Sequence, residues 1–169
     1  MSENLYINHS LSKEEKYKAL IPQLISLVEG EENMIANVAN IVAALKFSFD
    51  YYFWVGVYFK IGNDLVLGPF QGPVACTRMT IPNGVCGQAA DKKVTIIVPD
   101  VNAFPGHIAC STDSKSEIVS PVFTKRGKNG GNVIGVLDVD SDTLNSFDES
   151  DKLYLEQVCS ILSQLTDKN

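Results

Sequence analysis

Trp54-Val-Gly-Val-Tyr-Phe-Lys-Ile-Gly-Asn-Asp-Leu-Val-Leu67 is the stretch on which the fold turns. Within it Trp54, Gly56 and Tyr58 alternate with Val55, Val57 and Phe59. A period of two belongs to a strand, whose successive side chains point to opposite faces. Ile61-Gly-Asn-Asp64 supplies a tight turn into Leu65-Val-Leu67, so the stretch predicts a β-hairpin.

The pattern on either side is different. Ser12-Lys-Glu-Glu15 has the spacing of a capping box, and Leu20, Leu24, Leu27 and Val28 follow at helical intervals, with Pro22 a point where the helix is expected to kink or restart. Ile35, Val38, Ile41, Val42 and Leu45 form a second helical stripe after the break at Gly30. Downstream, 95–98 and 118–123 are short β-rich runs. The second is joined to 133–139 through the turn Lys125-Arg-Gly-Lys-Asn-Gly-Gly131, a second hairpin. Leu153, Leu155, Val158, Ile161, Leu162 and Leu165 then define a C-terminal helix capped by Asp148 or Ser150. Helices over about 12–49, a sheet with loops over about 51–141 and a helix over about 148–166 describe one α+β domain with a central antiparallel sheet, spanning 1–169 without repeat or linker.

Composition excludes several functions. A net charge of -6 offers no basic stripe for nucleic acid. No apolar run approaches the roughly 18 residues of a membrane span, and the start mixes Lys13, Glu14, Glu15 and Lys16 rather than forming a signal sequence. The expected location is the cytoplasm. There, cysteines beside turn formers point to catalytic or redox chemistry rather than permanent staples.

Three of the four cysteines sit in such places. Cys76 ends Gly68-Pro-Phe-Gln-Gly-Pro-Val-Ala-Cys76, Cys86 lies in Gly84-Val-Cys-Gly87, and Cys110 closes Phe104-Pro-Gly-His-Ile-Ala-Cys110. Cys159 falls inside the C-terminal helix as an ordinary core residue. If Cys86 begins a helix, backbone N–H groups lower its thiol pKa and favour it as nucleophile. Cys110 has His107 three residues before it as a cationic neighbour, and residue chemistry alone leaves the choice open. A zinc site built from Cys76, Cys86, Cys110 and His107 is disfavoured, because none of the ligands forms a Cys-x-x-Cys pair.

Val133-Ile-Gly-Val-Leu-Asp-Val-Asp140 places Asp138 and Asp140 on the face of Ile134 and Val136. Either this strand ends in solvent, or two carboxylates stand at the rim of a pocket suited to an ammonium group. Glu117 opens the preceding strand and, across the same hairpin, would make a third; carboxylates brought together raise at least one pKa and provide a general acid. Trp54 and Tyr58 are either core or an aromatic wall for a methyl or thioether group.

With these residues assembled, the chain resembles the free methionine-(R)-sulfoxide reductases, thiol enzymes built on a GAF domain. The resemblance rests on Gly68-Pro-Phe-Gln-Gly72 with Ala75-Cys76, Gly84-Val-Cys-Gly87, Pro105-Gly-His-Ile-Ala-Cys110, Ser116-Glu-Ile-Val119 and Gly135-Val-Leu-Asp-Val-Asp-Ser141, in that order. It implies that Cys110 is the nucleophile, Cys76 the first candidate for the resolving thiol and Cys86 the second. It makes Trp54, Tyr58, Glu117, Asp138 and Asp140 pocket residues, with Glu117 or Asp140 handling the proton. It further implies a sulfenic acid on Cys110, an intramolecular disulfide, reduction by thioredoxin, a homodimer, and no metal, nucleotide or flavin. The rival is a non-enzymatic GAF sensor, which needs the pocket but no nucleophile. Ser111 stands where the family usually has Asp, and Ile81-Pro-Asn83 replaces a more glycine-rich approach to Cys86.

Overall fold

A computed structural model describes residues 5–124 and 131–165. The chain runs α1 (Lys13–Leu27), α2 (Met34–Ser48), β1 (Trp54–Ile61), β2 (Asp64–Gln71), β3 (Arg78–Thr80), α3 (Gly84–Lys92), β4 (Ile96–Val98), β5 (Ser116–Phe123), β6 (Val133–Ser141) and α4 (Glu149–Leu165). Among the described residues, six strands form one sheet in the order β3-β2-β1-β6-β5-β4, every neighbouring pair antiparallel. The predicted α+β class and the hairpin at Gly62-Asn63 are both present, with Ile61 paired to Asp64. The predicted turn between β5 and β6 lies, for 125–130, outside the described residues.

Alternation along the central strands sorts the sheet into two faces. Val55, Val57, Ile118, Val122, Leu137 and Val139 join the main core, which α1, α2 and α4 cover. The opposite face carries Trp54, Tyr58, Val119 and Val136 into a second cluster, beneath α3. Gly56 shows how closely that second face is packed. A side chain there would collide with the Trp54 ring and with Phe70, so only glycine lets the indole lie across its own strand.

The helix ends follow local chemistry. Ser12 and Glu15 satisfy each other's backbone N–H groups, completing the capping box of α1. This helix continues through Pro22 to Leu27, so it does not restart there. Tertiary packing decides the outcome, because the residues on both sides of Pro22, Leu20 and Leu24, are fully buried. Asp148, one of the two predicted caps, accepts from the backbone of Ser150 at 2.8 Å at the start of α4. Among the described residues no helix is long and apolar enough to cross a membrane.

Candidate active site

The strand register assembles the site. Asp140 lies opposite Trp54 on one side and Glu117 on the other; Asp138 lies opposite Gly56 and Val119. Directly paired residues share a face, so two aromatic rings and three carboxyl groups converge on the side away from α1, α2 and α4. They floor an open pocket whose walls include Cys86 from α3 and His107, Ile108 and Cys110 from the loop before β5. The alternative in which β6 simply runs out into solvent is excluded, since Asp138 is 6% exposed.

Cys76 and Cys110 are joined as a disulfide, with Cα atoms 5.2 Å apart. Two pocket aromatics hold the loop that carries Cys76. The Tyr58 hydroxyl donates to the Cys76 carbonyl at 3.1 Å, and the Trp54 indole N–H donates to the Pro73 carbonyl, also at 3.1 Å. Trp54 stacks on Phe70 with centroids 5.5 Å apart and faces Tyr58 at 6.0 Å. Both aromatics are therefore buried and still line the cavity.

Among the described residues no Lys or Arg forms an ion pair with these carboxyl groups. Glu117 is buried, and its pKa is pushed well up by that burial and then by the charges of Asp138 and Asp140. Asp138 is raised well above the usual range by burial and by Asp140. Asp140, hydrogen bonded to Ser114, is pushed up to about 6, chiefly by burial. His107 Nε2 stands 4.0 Å from a Glu117 oxygen, but burial lowers its pKa and favours the neutral ring. The structure thus places His107 beside Glu117, where the sequence suggested a cationic neighbour for Cys110.

Cys86 corrects a second expectation. It does sit in the first turn of α3, yet it is 3% exposed and 4.0 Å from Glu117 Oε1. Burial, followed by the charges of Asp138 and Glu117, pushes its thiol pKa well up. Desolvation and nearby carboxylates outweigh the helix terminus, so the lowered pKa argued from sequence is not found. Cys159 lies in α4, buried on the other side of the sheet, as read from its periodicity. Ser114, Met79, Val85 and Ile108 also line the pocket without having been anticipated. Only Ser114 had a usable signal, as one of several hydroxyls just past Cys110.

Fold and site together define the class: residues 33–165 match the GAF domain, and the chain belongs to that family. Within it, the chain is 56% identical over 163 residues to GAF domain-containing protein A of Dictyostelium discoideum, covering 96% of this chain and 99% of that protein. It is 38% identical over 168 residues to the free methionine-R-sulfoxide reductase of Saccharomyces cerevisiae, covering 94% and 91%. The crystal structure of free methionine-R-sulfoxide reductase from Neisseria meningitidis in complex with its substrate superposes with a TM-score of 0.90 at 46% identity, covering 98% of this chain and 97% of that one.

Proposed function

We propose that this protein is a free methionine-R-sulfoxide reductase, converting the free amino acid (R)-sulfoxide to methionine. The observation that carries the reading is the Cys76–Cys110 disulfide at the wall of a pocket floored by aromatic rings and carboxyl groups. The names of its relatives support the same activity.

The chemistry follows from the groups present. The Cys110 thiolate attacks the sulfoxide sulfur, and the S–O oxygen leaves for the cysteine sulfur while taking a proton, giving methionine and a Cys110 sulfenic acid. Glu117 is the proton donor, since burial and the charges of Asp138 and Asp140 push its pKa up and favour the protonated acid. Asp140, with a value near 6, is largely ionised at pH 7.5 and receives the substrate ammonium, and Asp138, whose pKa burial also raises, joins it by releasing its proton to solvent as the cation arrives. Trp54 and Tyr58 face the methyl sulfoxide end. The Cys76 thiol then condenses with the sulfenic acid, releasing water and forming the disulfide, which a dithiol protein such as thioredoxin returns to two thiols by exchange. Buried Cys86 is a secondary thiol at most in this cycle. A cytoplasmic homodimer is the setting that fits the family.

The test is a thioredoxin-coupled assay with free (R)-sulfoxide, free (S)-sulfoxide and an N-acetylated, C-amidated (R)-sulfoxide. Turnover of the free (R) epimer alone is expected. Binding without turnover of any of the three would favour a sensor, and equal efficiency on the blocked compound would sink the ammonium-reading pocket.

A further inference from the structure

Cys86, Glu117 and Asp138 present one ligand atom each within 4.8 Å of one another, and all three residues are buried. They come from three elements, α3, β5 and β6, so the fold rather than a local turn brings them together. Glu117 divides its oxygens between Cys86 Sγ and His107 Nε2, each 4.0 Å away. Asp138 is 6% exposed and its Oδ1 has no hydrogen-bond partner. Buried carboxylate oxygens are nearly always saturated, and a bare one inside such a cluster asks for a positively charged guest.

An ammonium group satisfies the carboxylates but makes little use of the sulfur, a weak hydrogen-bond acceptor. A borderline-soft divalent cation uses all three donors, since thiolate and carboxylate are both first-rate ligands for zinc. We propose that Cys86, Glu117 and Asp138 form a binding site for a zinc-like divalent cation that occupies the pocket in competition with the amino-acid substrate. Zinc bonds of about 2.0–2.3 Å set tetrahedral ligands roughly 3.5 Å apart, so side-chain adjustments on the order of 1 Å complete the site. Binding displaces the protons held by Cys86, Glu117 and Asp138 to solvent and moves no electrons. His107, beside the second Glu117 oxygen, is placed to orient that ligand as an outer partner. The fourth position opens into the cavity and is left for water.

This set differs from the four-ligand zinc site disfavoured by sequence, two of whose cysteines are consumed by the disulfide. In the oxidised protein Cys86 is thus the remaining thiol of the cavity among the described residues. Metal binding itself does not depend on the proposed reductase activity; only the competition does.

The experiment titrates Co2+ into the air-oxidised full-length protein and follows the near-ultraviolet thiolate-to-cobalt charge-transfer band. One equivalent is expected to produce the band, Cys86→Ser to abolish it and Cys159→Ser to retain it. Glu117→Gln and Asp138→Asn should each weaken Co2+ binding at least tenfold, and they carry the test if circular dichroism shows Cys86→Ser unfolded. Zn2+ should displace Co2+, and free methionine should raise the apparent Kd for Co2+. No band, a band surviving in folded Cys86→Ser, or one lost in folded Cys159→Ser overturns the site. Indifference to methionine overturns the shared pocket. A protein that binds Co2+ through Cys86 but never reduces sulfoxide would refute the enzyme reading and leave the metal site standing.

Discussion

Asp151 and Asp138 are both buried carboxylates, one on each side of the same sheet. Asp151, 0% exposed, lies among the helices with its oxygens saturated: Lys13 Nζ approaches to 2.5 Å, the Tyr51 and Tyr17 hydroxyls donate at 2.6 and 2.9 Å, and the Asp148 N–H donates at 2.8 Å. Asp138 has a bare oxygen and two further carboxyl groups for neighbours. The first arrangement ties α4 to α1 and serves stability. The second leaves a buried oxygen unpaired, a cost to the empty fold that supports the proposed reading of it as a site completed by a guest. Burial alone does not separate structural from functional acids; satisfaction does.

The sharpest test of that division is Cys110→Ser, which should abolish turnover while leaving the melting temperature of the reduced protein nearly unchanged. Cys159→Ser, behind the sheet, should keep near-wild-type turnover. Residual activity well above background in the first variant, in the coupled assay, would break the proposed assignment.

Next in size is Asp151→Asn. It leaves Lys13 without its buried counter-charge, and breaking a buried pair typically costs about 3–5 kcal/mol. Urea unfolding should register a loss on the order of 3 kcal/mol, with kcat/KM preserved in the folded fraction.

The pocket acids should respond in the opposite sense. Losing a charge-assisted hydrogen bond costs about 1.5–3 kcal/mol, so Asp138→Asn or Asp140→Asn should lower kcat/KM roughly ten- to a hundredfold, while Glu117→Gln should act mainly on kcat. Stability should rise instead. Each acid holds its proton more tightly when folded than when unfolded, so its contribution to stability falls as pH climbs from the ordinary carboxylate range near 4 through about 6, the value for Asp140. The Asn and Gln variants should therefore melt about 2–4 °C above wild type at pH 7.5, the response to roughly 1 kcal/mol in a chain of this size, with the gain gone at pH 4. Variants less stable than wild type at pH 7.5 would erase the contrast with Asp151.

The smallest effect belongs to Tyr58→Phe, which keeps the ring and loses the hydroxyl on the Cys76 carbonyl. In single-turnover rapid quench, disulfide formation should slow about fivefold, as for one hydrogen bond near 1 kcal/mol, and by more than methionine release does. Equal slowing of both steps would reduce Tyr58 to a wall of the pocket.

The two faces were not equally legible in the sequence. Alternation in Trp54–Phe59 and Val133–Asp140 announced both faces, and the register then brought Glu117 opposite Asp140 as its place across the hairpin suggested. Capping chemistry located α1, because Ser12 and Glu15 are local partners. The three residues of β3 gave too short a periodic signal to be read, and α3 was legible only as a helix start at Cys86, since Asn83 makes no side-chain cap to announce it. The Cys86 thiol misled for a related reason: its helix position is a local property, whereas its burial against β5 and β6 is set by residues thirty or more positions away. Choosing among the cysteines required the family resemblance, and the pairing of Cys76 with Cys110 agrees with it.

The disulfide closes residues 76–110 into a covalent ring that contains β3, α3 and β4 and, in α3 and His107–Cys110, the roof over the pocket. Cross-linking a loop of that length restricts the unfolded chain by about 3–4 kcal/mol on the chain-entropy estimate. If each catalytic cycle makes and breaks this ring, the protein alternates between a tightened spent form and a looser ready form. Heat or a protease acting on the roof would then distinguish them, so the balance of oxidant and reductant around the protein would be written into its lifetime as well as its activity.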